Sequence, residues 1–264
     1  MSKAPFGFVA LPDARSQHKP RNNGRTMVVD DGLPLGLTED LLRLGGAYID
    51  LAKIKTGTAR FYPRKQLVAK LKTYKKHQVQ PFLGGQFHEY VFASLGAKAL
   101  PRYYEEALDL GFEAIEISDN TVPLTDKQRV AQIRAAVASG LIVYGEVGSK
   151  ETLSNPSLLV KQALSCFDAG AALVLVEAAE LVRGGKLQIK TVELLKRKLD
   201  MSRVMIELPG PWISDVRSCD VEDTKKALVH AIGPDLNLAN VPPMSIIDTE
   251  ATRTGLGTTG PLKP

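Results

Sequence analysis

Eight short apolar runs recur along this chain, each ending on a polar or charged residue or a glycine, and most are spaced by about thirty residues, the length of one strand-plus-helix unit. They are Met27–Asp30, Tyr48–Lys53, Val79–Gly85, Ala114–Asp119, Leu141–Gly148, Ala172–Glu177, Val204–Glu207 and Leu236–Asn240. Stretches with helical apolar spacing fill the gaps: Thr38–Leu44, Arg64–His77, Leu100–Leu110, Asp126–Ser139, Ser157–Ala169, Thr191–Leu199, Val221–Ile232 and Met244–Arg253. Thr125 followed by Gln128 predicts a capping box, and Gly111, Gly140, Gly170 and Gly233 follow predicted helix ends. An open, doubly wound sheet shares this alternation, but eight strands and no strand leading into a Gly-x-Gly-x-x-Gly turn favour closure. The pattern predicts a single-domain TIM (β/α)8 barrel over residues 25–257, with an arm at 1–24 and a tail at 258–264.

Composition narrows the function classes. A net charge of +5 and a pI near 9.1 suit a small anionic substrate, although on their own they read first as a slightly basic surface. The basic residues are spread along helices and not interleaved with aromatics, so nucleic acid is not an expected partner. Lys70, Lys72, Lys75 and Lys76 form the densest cluster, read as one solvated helix face. Cys166 and Cys219 have no metal-ligand spacing and are expected as free thiols, Cys166 inside a helix core. No run has the length of a signal peptide's apolar region or of a membrane span, so a soluble, cytoplasmic protein is expected.

In barrels the chemistry sits at the C-terminal strand ends, so the polar residues there are the candidates, and an enzyme is expected. Glu116, Glu146, Glu177 and Glu207 come from four of these ends. Burying four carboxylates together is costly unless a cation neutralises them. A hard divalent ion such as Mg2+ is the economical answer, with Glu116, Glu177 and Glu207 as the metal set; each glutamate singly reads also as an ion pair with Lys53 or Lys150. Lys150, in Glu146-Val-Gly-Ser-Lys150, is the candidate proton donor, with Glu146 and Lys53 as catalytic partners. Asp30, Gly84, Gly85, Glu89, Asp119 and Asn240 complete a substrate-binding rim, and Arg21 and Arg253 are candidates for gripping a phosphate or carboxylate. The glycines read alternatively as steric relief, His88 as a base, a ligand or neither, and Trp212 as a pocket roof or a core cover.

Lys19-Pro-Arg21, Asp30-Asp-Gly-Leu-Pro34, Lys53, Gly84-Gly85, Glu89, Ile115-Glu-Ile-Ser-Asp119, Glu146-Val-Gly-Ser-Lys150, Glu207 and Asn237-Leu-Ala-Asn240 together resemble the phosphosulfolactate synthase family. The resemblance runs in register from about residue 19 to 257, nearly the whole chain. It implies a TIM barrel, Mg2+ dependence, a homo-oligomer, and addition of sulfite to phosphoenolpyruvate on the route to coenzyme M or sulfolactate. It also implies that the proton-donating lysine is Lys150. The chain departs from the family pattern in Ile54-Lys-Thr-Gly-Thr-Ala59, which lacks a tryptophan, and in Gln86-Phe-His-Glu89. Glu177-Ala-Ala-Glu-Leu-Val182 and Arg253-Thr-Gly-Leu-Gly257 each lack an arginine. These departures leave two further readings open: enolate chemistry on another small carboxylate, and a non-catalytic barrel with a stress or scaffolding role.

Overall fold

The structure, a computed structural model, describes residues 5–11, 15, 18–148, 154–183, 186–210, 213 and 216–257. In chain order its main elements are β1 (Thr26–Asp30), α1 (Leu35–Gly45), β2 (Leu51–Ile54), α2 (Arg64–Lys76), β3 (Gln80–Leu83), α3 (Gly85–Leu95), α4 (Leu100–Leu110), β4 (Ala114–Ile117), α5 (Asp126–Ala138) and β5 (Ile142–Val147). There follow α6 (Pro156–Ala169), β6 (Leu173–Glu177), β7 (Val182–Arg183), β8 (Lys186–Leu187), α7 (Ile189–Lys198), β9 (Val204–Glu207), α8 (Ser218–Ile232), β10 (Leu238–Val241) and α9 (Ile246–Arg253). Eight strands pair in parallel in the order β1-β2-β3-β4-β5-β6-β9-β10, and β10 closes on β1. All eight sequence runs therefore supply barrel strands.

Strand alternation sorts the side chains into two cores. Residues facing inward pack as one layer, Met27, Leu51, Phe82, Ala114, Tyr144, Leu173, Leu175, Met205 and Ala239. The Phe82 and Tyr144 rings meet edge to face at 4.9 Å in its middle. Residues facing outward, such as Val28, Ala52, Ile115, Val143 and Val174, join the larger core beneath the helices. On β5, Gly145 faces outward, and a Cβ there would stand 2.9 Å from Cys166 Sγ, so α6 lies unusually close to the strand. Cys166 is fully buried there.

Local signals explain the helix limits. Thr125 and Gln128 form the expected capping box at the start of α5, and Asn155 caps α6 ahead of Pro156. The four glycines expected after helix ends all take positive φ. Two elements were not expected. The segment after β3, outside the expected helical stretches, folds as α3, and residues after β6 form β7 and β8, which pair antiparallel. One expectation is overturned. Lys70 is not on a solvated face: it is 1% exposed, and its ammonium reaches Asp30 at 2.6 Å and the Tyr62 hydroxyl at 2.7 Å.

Candidate active site

Two residues beyond the apolar floor, the same alternation points a second set of side chains inward. Leu51 is followed by Lys53, Phe82 by Gly84, Ala114 by Glu116, Tyr144 by Glu146, Leu175 by Glu177 and Met205 by Glu207. The charged layer thus sits on a hydrophobic plug at the C-terminal mouth, where barrel chemistry is found. A cavity of about 260 Å³ opens above it, lined in part by Lys53, Lys55, Gly84, Glu116, Glu146 and Glu207.

Lys53 holds the centre. Its ammonium lies 2.8 Å from Glu116 Oε2 and donates to Glu207 Oε1, and all three residues are buried. Burial alone would lower the lysine pKa, but the charges of Glu116, Glu207 and Glu146 outweigh it and hold the pKa above the usual range. Lys53 is therefore a fixed cation. The acids respond oppositely. Burial, then the charges of Glu207, Glu116 and Glu177, pushes Glu146 well above the ordinary carboxyl range. Burial raises Glu207 to about 7 against the lowering pull of Lys53, with Glu177 and Glu116 adding to the rise.

Oxygens of Glu116, Glu146 and Glu207 lie within 4.8 Å of one another. Lys53 carries one positive charge against three buried carboxylates, and burial together with the mutual repulsion of the acids raises Glu146 and Glu207. A hard divalent cation fits this all-oxygen set. The trio has Glu146 where the sequence suggested Glu177. Glu177 is buried beside it and pairs in register with Glu207, close enough for its charge to raise both Glu146 and Glu207.

The other expected site residues divide between the two ends of the barrel and its wall. Gly84 and Gly85 line the cavity, and a Cβ on Gly85 would fall 2.1 Å from Ser118 Oγ and 3.1 Å from Glu116 Oε1. Asn240 also lines it, with φ of 58°, and its amide donates to the Leu208 carbonyl at 3.3 Å. Glu89, on α3, is 1% exposed and supports the site from behind. It accepts from the Ser118 hydroxyl, from the backbone N–H of Asn120, Thr121 and Val122, and from the Thr121 hydroxyl, so it fixes the loop after β4. Burial pushes the Glu89 pKa up, but the hydrogen bonds from Ser118, Thr121 and Val122 reverse this and hold it low. Asp119 pairs with Arg129 on α5, apart from the residues that line the cavity.

Besides Asp119, three expectations for the substrate rim do not hold geometrically. Asp30 follows the inward Val29 and so faces outward, where it is fully buried against Lys70 and Tyr74, 2.8 Å from the tyrosine hydroxyl. Arg21 pairs with Asp50 at 2.7 Å at the N-terminal mouth. Arg253 is fully buried at that same end, donating to the carbonyls of Pro234 at 2.8 Å and Arg25 at 3.2 Å. Both guanidiniums tie strand starts together and are remote from the carboxylates. His88 is fully buried in α3, its Nε2 3.0 Å from the Tyr104 hydroxyl, and burial pushes its pKa down to about 4. It is a neutral core residue. Lys150 and Trp212 lie outside the described residues; Gly148, the last described residue before Lys150, is at the C-terminal mouth beside Glu177 and Glu180.

Asn120 was missed. It follows the Ile115–Asp119 run directly, and its amide donates to Glu146 Oε2 at 3.0 Å. Lys55 and Thr56, noted in the sequence only as a departure, also line the cavity, and Thr56 holds a φ of 48°. A β-branched residue rarely adopts that conformation, and such strain gathers at functional sites.

Residues 14–259 match the family model described as (2R)-phospho-3-sulfolactate synthase. The chain belongs to that family. It is 32% identical over 262 residues to the phosphosulfolactate synthase of Methanothermobacter thermautotrophicus, covering 95% of each chain. It is 30% identical over 252 residues to the phosphosulfolactate synthase of Bacillus subtilis, covering 90% of this chain and 92% of that one. Among solved structures, the carboxyl transferase domain of Rhizobium etli pyruvate carboxylase shares the fold, with a TM-score of 0.59 at 12% identity. That match covers 85% of this chain and 41% of the other. Membership makes this barrel an enzyme of a carbon–sulfur bond-forming lyase family. No helix among the described residues is long and apolar enough to cross a membrane.

Proposed function

We propose that this phosphosulfolactate synthase family member adds sulfite to phosphoenolpyruvate, giving (2R)-phospho-3-sulfolactate. The observation that carries the reading is Lys53 held between Glu116 and Glu207 at the strand ends of a barrel matched by the family over residues 14–259. The sulfur lone pair forms a bond to the methylene carbon. The displaced π electrons move into the carboxylate as an enediolate, and a proton added to C2 completes the product without loss of phosphate.

Catalysis requires that this developing charge be held better than the ground state. Lys53, cationic across the working pH range, supplies one fixed positive charge beside the acid oxygens. Glu116, Glu146 and Glu207 would hold Mg2+, which when bound supplies further positive charge for the carboxylate. Asn120 orients Glu146 through its amide, and Glu89 orients Asn120 through the loop backbone. Gly85 keeps the space beside Glu116 open, and Gly84 does the same beside Lys53. Protonation at C2 is assigned to Lys150, four positions beyond Glu146, a role the family resemblance supports.

A second reading, enolate chemistry on another small carboxylic acid, draws on Lys55 and Gln86. Both line the cavity at positions where this sequence leaves the family pattern. Purified protein incubated with Mg2+, sulfite and phosphoenolpyruvate, with product followed by phosphorus NMR, separates the two. A sulfonated product supports the first reading. Turnover of a different carboxylate, with none of phosphoenolpyruvate, supports the second.

A further inference from the structure

The opposite, N-terminal mouth holds a second cavity of about 440 Å³, within the size range of small-molecule sites. Its wall includes Arg25 and Arg203, just before β1 and β9, Gln80 at the start of β3, and Tyr144 within β5. The apolar floor of the barrel lies between this cavity and Lys53. Tyr144 belongs to that floor, and its hydroxyl donates to Gln80 Oε1.

Arg25 and Arg203 are held by groups without formal charge. Arg25 donates through Nε to the Arg21 carbonyl at 2.6 Å and, weakly, to Asn22 at 3.5 Å. Arg203 donates to the carbonyls of Ala171 at 2.7 Å and Ala172 at 3.2 Å, and its guanidinium lies 4.1 Å from the centre of the Phe167 ring. These contacts set the position of each guanidinium, and among the described residues neither has a close ion pair with an acid. Two acids share the wall. Asp50 is engaged by Arg21 at 2.7 Å and by the Thr26 N–H at 2.9 Å. Asp200 is exposed and accepts from the N–H and hydroxyl of Ser202; it feels the charge of Arg203 without forming a close ion pair among the described contacts.

We propose that the N-terminal mouth is a second binding site, for a small oxyanion held between Arg25 and Arg203. Inorganic phosphate or sulfate, or the phosphate or sulfate group of a small ester, has the chemistry required. Guanidinium forks match tetrahedral oxyanions in charge and geometry, and arginines already fixed by carbonyls lose little freedom on binding. The neutral donors and acceptors of Tyr144 and Gln80 leave room for the ester part of a larger ligand. The site is independent of the chemistry proposed at the other mouth.

The test uses the intact wild-type protein and needs no turnover. Phenylglyoxal labelling of arginines is followed by peptide mass spectrometry with inorganic phosphate, and with sodium chloride at equal ionic strength. Exposed Arg102, outside both mouths, serves as the internal reference. The expected result is severalfold slower labelling at Arg25 and Arg203 in phosphate than in chloride, with Arg102 unchanged. Equal rates in the two salts, or equal slowing at Arg102, overturn the proposal. A second measurement compares thermal stabilisation by phosphate in wild type and in the Arg25→Gln, Arg203→Gln double variant. In wild type and in Lys53→Met, phosphate is expected to raise the melting temperature, and the arginine variant is expected to lose that response. Full retention by a folded arginine variant, or loss in a folded Lys53→Met variant, places the anion in the carboxylate site and overturns the proposal.

Discussion

The Lys53 ammonium stands 2.8 Å from Glu116 Oε2 and also donates to Glu207, so one side chain on β2 ties β4 to β9 through the barrel interior. Removing it takes this cation from both buried acids. Lys53→Met, which keeps most of the volume, is expected to lower kcat/KM by at least about 100-fold, the scale of a lost electrostatic donor. It is also expected to lower the melting temperature, more at alkaline than at acid pH, since protonated carboxyls need no partner. Initial rates and thermal denaturation at two pH values check both. Unchanged kcat/KM would remove Lys53 from the mechanism.

The raised carboxyls set a pH dependence of stability. Burial and neighbouring acids raise Glu207 to about 7 in the folded protein, and burial with the charges of Glu207, Glu116 and Glu177 holds Glu146 well above the ordinary carboxyl range. Between the unfolded and folded pKa values the native state binds more protons, so its stability falls as pH rises through that interval. In the absence of divalent cations, stability contributed by these groups is expected to decline from about pH 5 to about pH 8. Added Mg2+ is expected to stabilise increasingly over the same interval, because binding selects the deprotonated acids. Thermal melts with Mg2+ and with a chelator at each pH measure the difference. A Mg2+ effect independent of pH, or absent in all conditions, would contradict the assignment of Glu116, Glu146 and Glu207.

Asp30 and Lys70 form the opposite kind of pair. Both are buried, both are also engaged by tyrosines, and neither lines the cavity of the site. Lys70→Met is expected to destabilise the protein by about 3–5 kcal/mol, the cost of orphaning a buried charge. Turnover per folded molecule should be unchanged. Denaturant unfolding with active-site titration separates the two, and a selective fall in kcat would give Asp30 a role in the reaction.

Gly85 is expected to tolerate no side chain. The Cβ of Gly85→Ala would stand 2.1 Å from Ser118 Oγ, and relieving that overlap displaces the serine that donates to Glu89. Overpacking of this kind costs about 1–3 kcal/mol and should disturb the loop carrying Asn120. The expected readout is a modest loss of stability with a larger loss of kcat/KM, and a Ser118→Gly second change should partly restore stability. A fully active Gly85→Ala variant would show that the loop after β4 does not position the site.

Much of this layout was legible in the residues, because apolar runs ending in acids are both the strands and the site. The errors share a geometric cause. A run identifies the end of a strand but not which face its last residue occupies, so Asp30, one position beyond inward Val29, was placed on the rim when it points into the helical layer. Arg21 precedes β1 and Arg253 ends α9, and in a barrel both places lie at the N-terminal mouth. That topological signal was available in the sequence. The α3 helix was not: it begins on two glycines, and its Phe87, His88 and Tyr90 carry no clear helical stripe. Lys70 was hidden among exposed lysines, because only tertiary packing reveals that Asp30 and Tyr62 surround its ammonium.

We propose that this layer of charge stabilises the enediolate formed when sulfite meets phosphoenolpyruvate. The most direct measurement is mass-spectrometric detection of product from the purified protein with both substrates and Mg2+, alongside Lys53→Met under the same conditions. The expected result is a time-dependent phosphosulfolactate signal from the wild type and a rate at least about 100-fold lower from the variant. No product from folded wild-type protein, or equal rates from the two proteins, would contradict it.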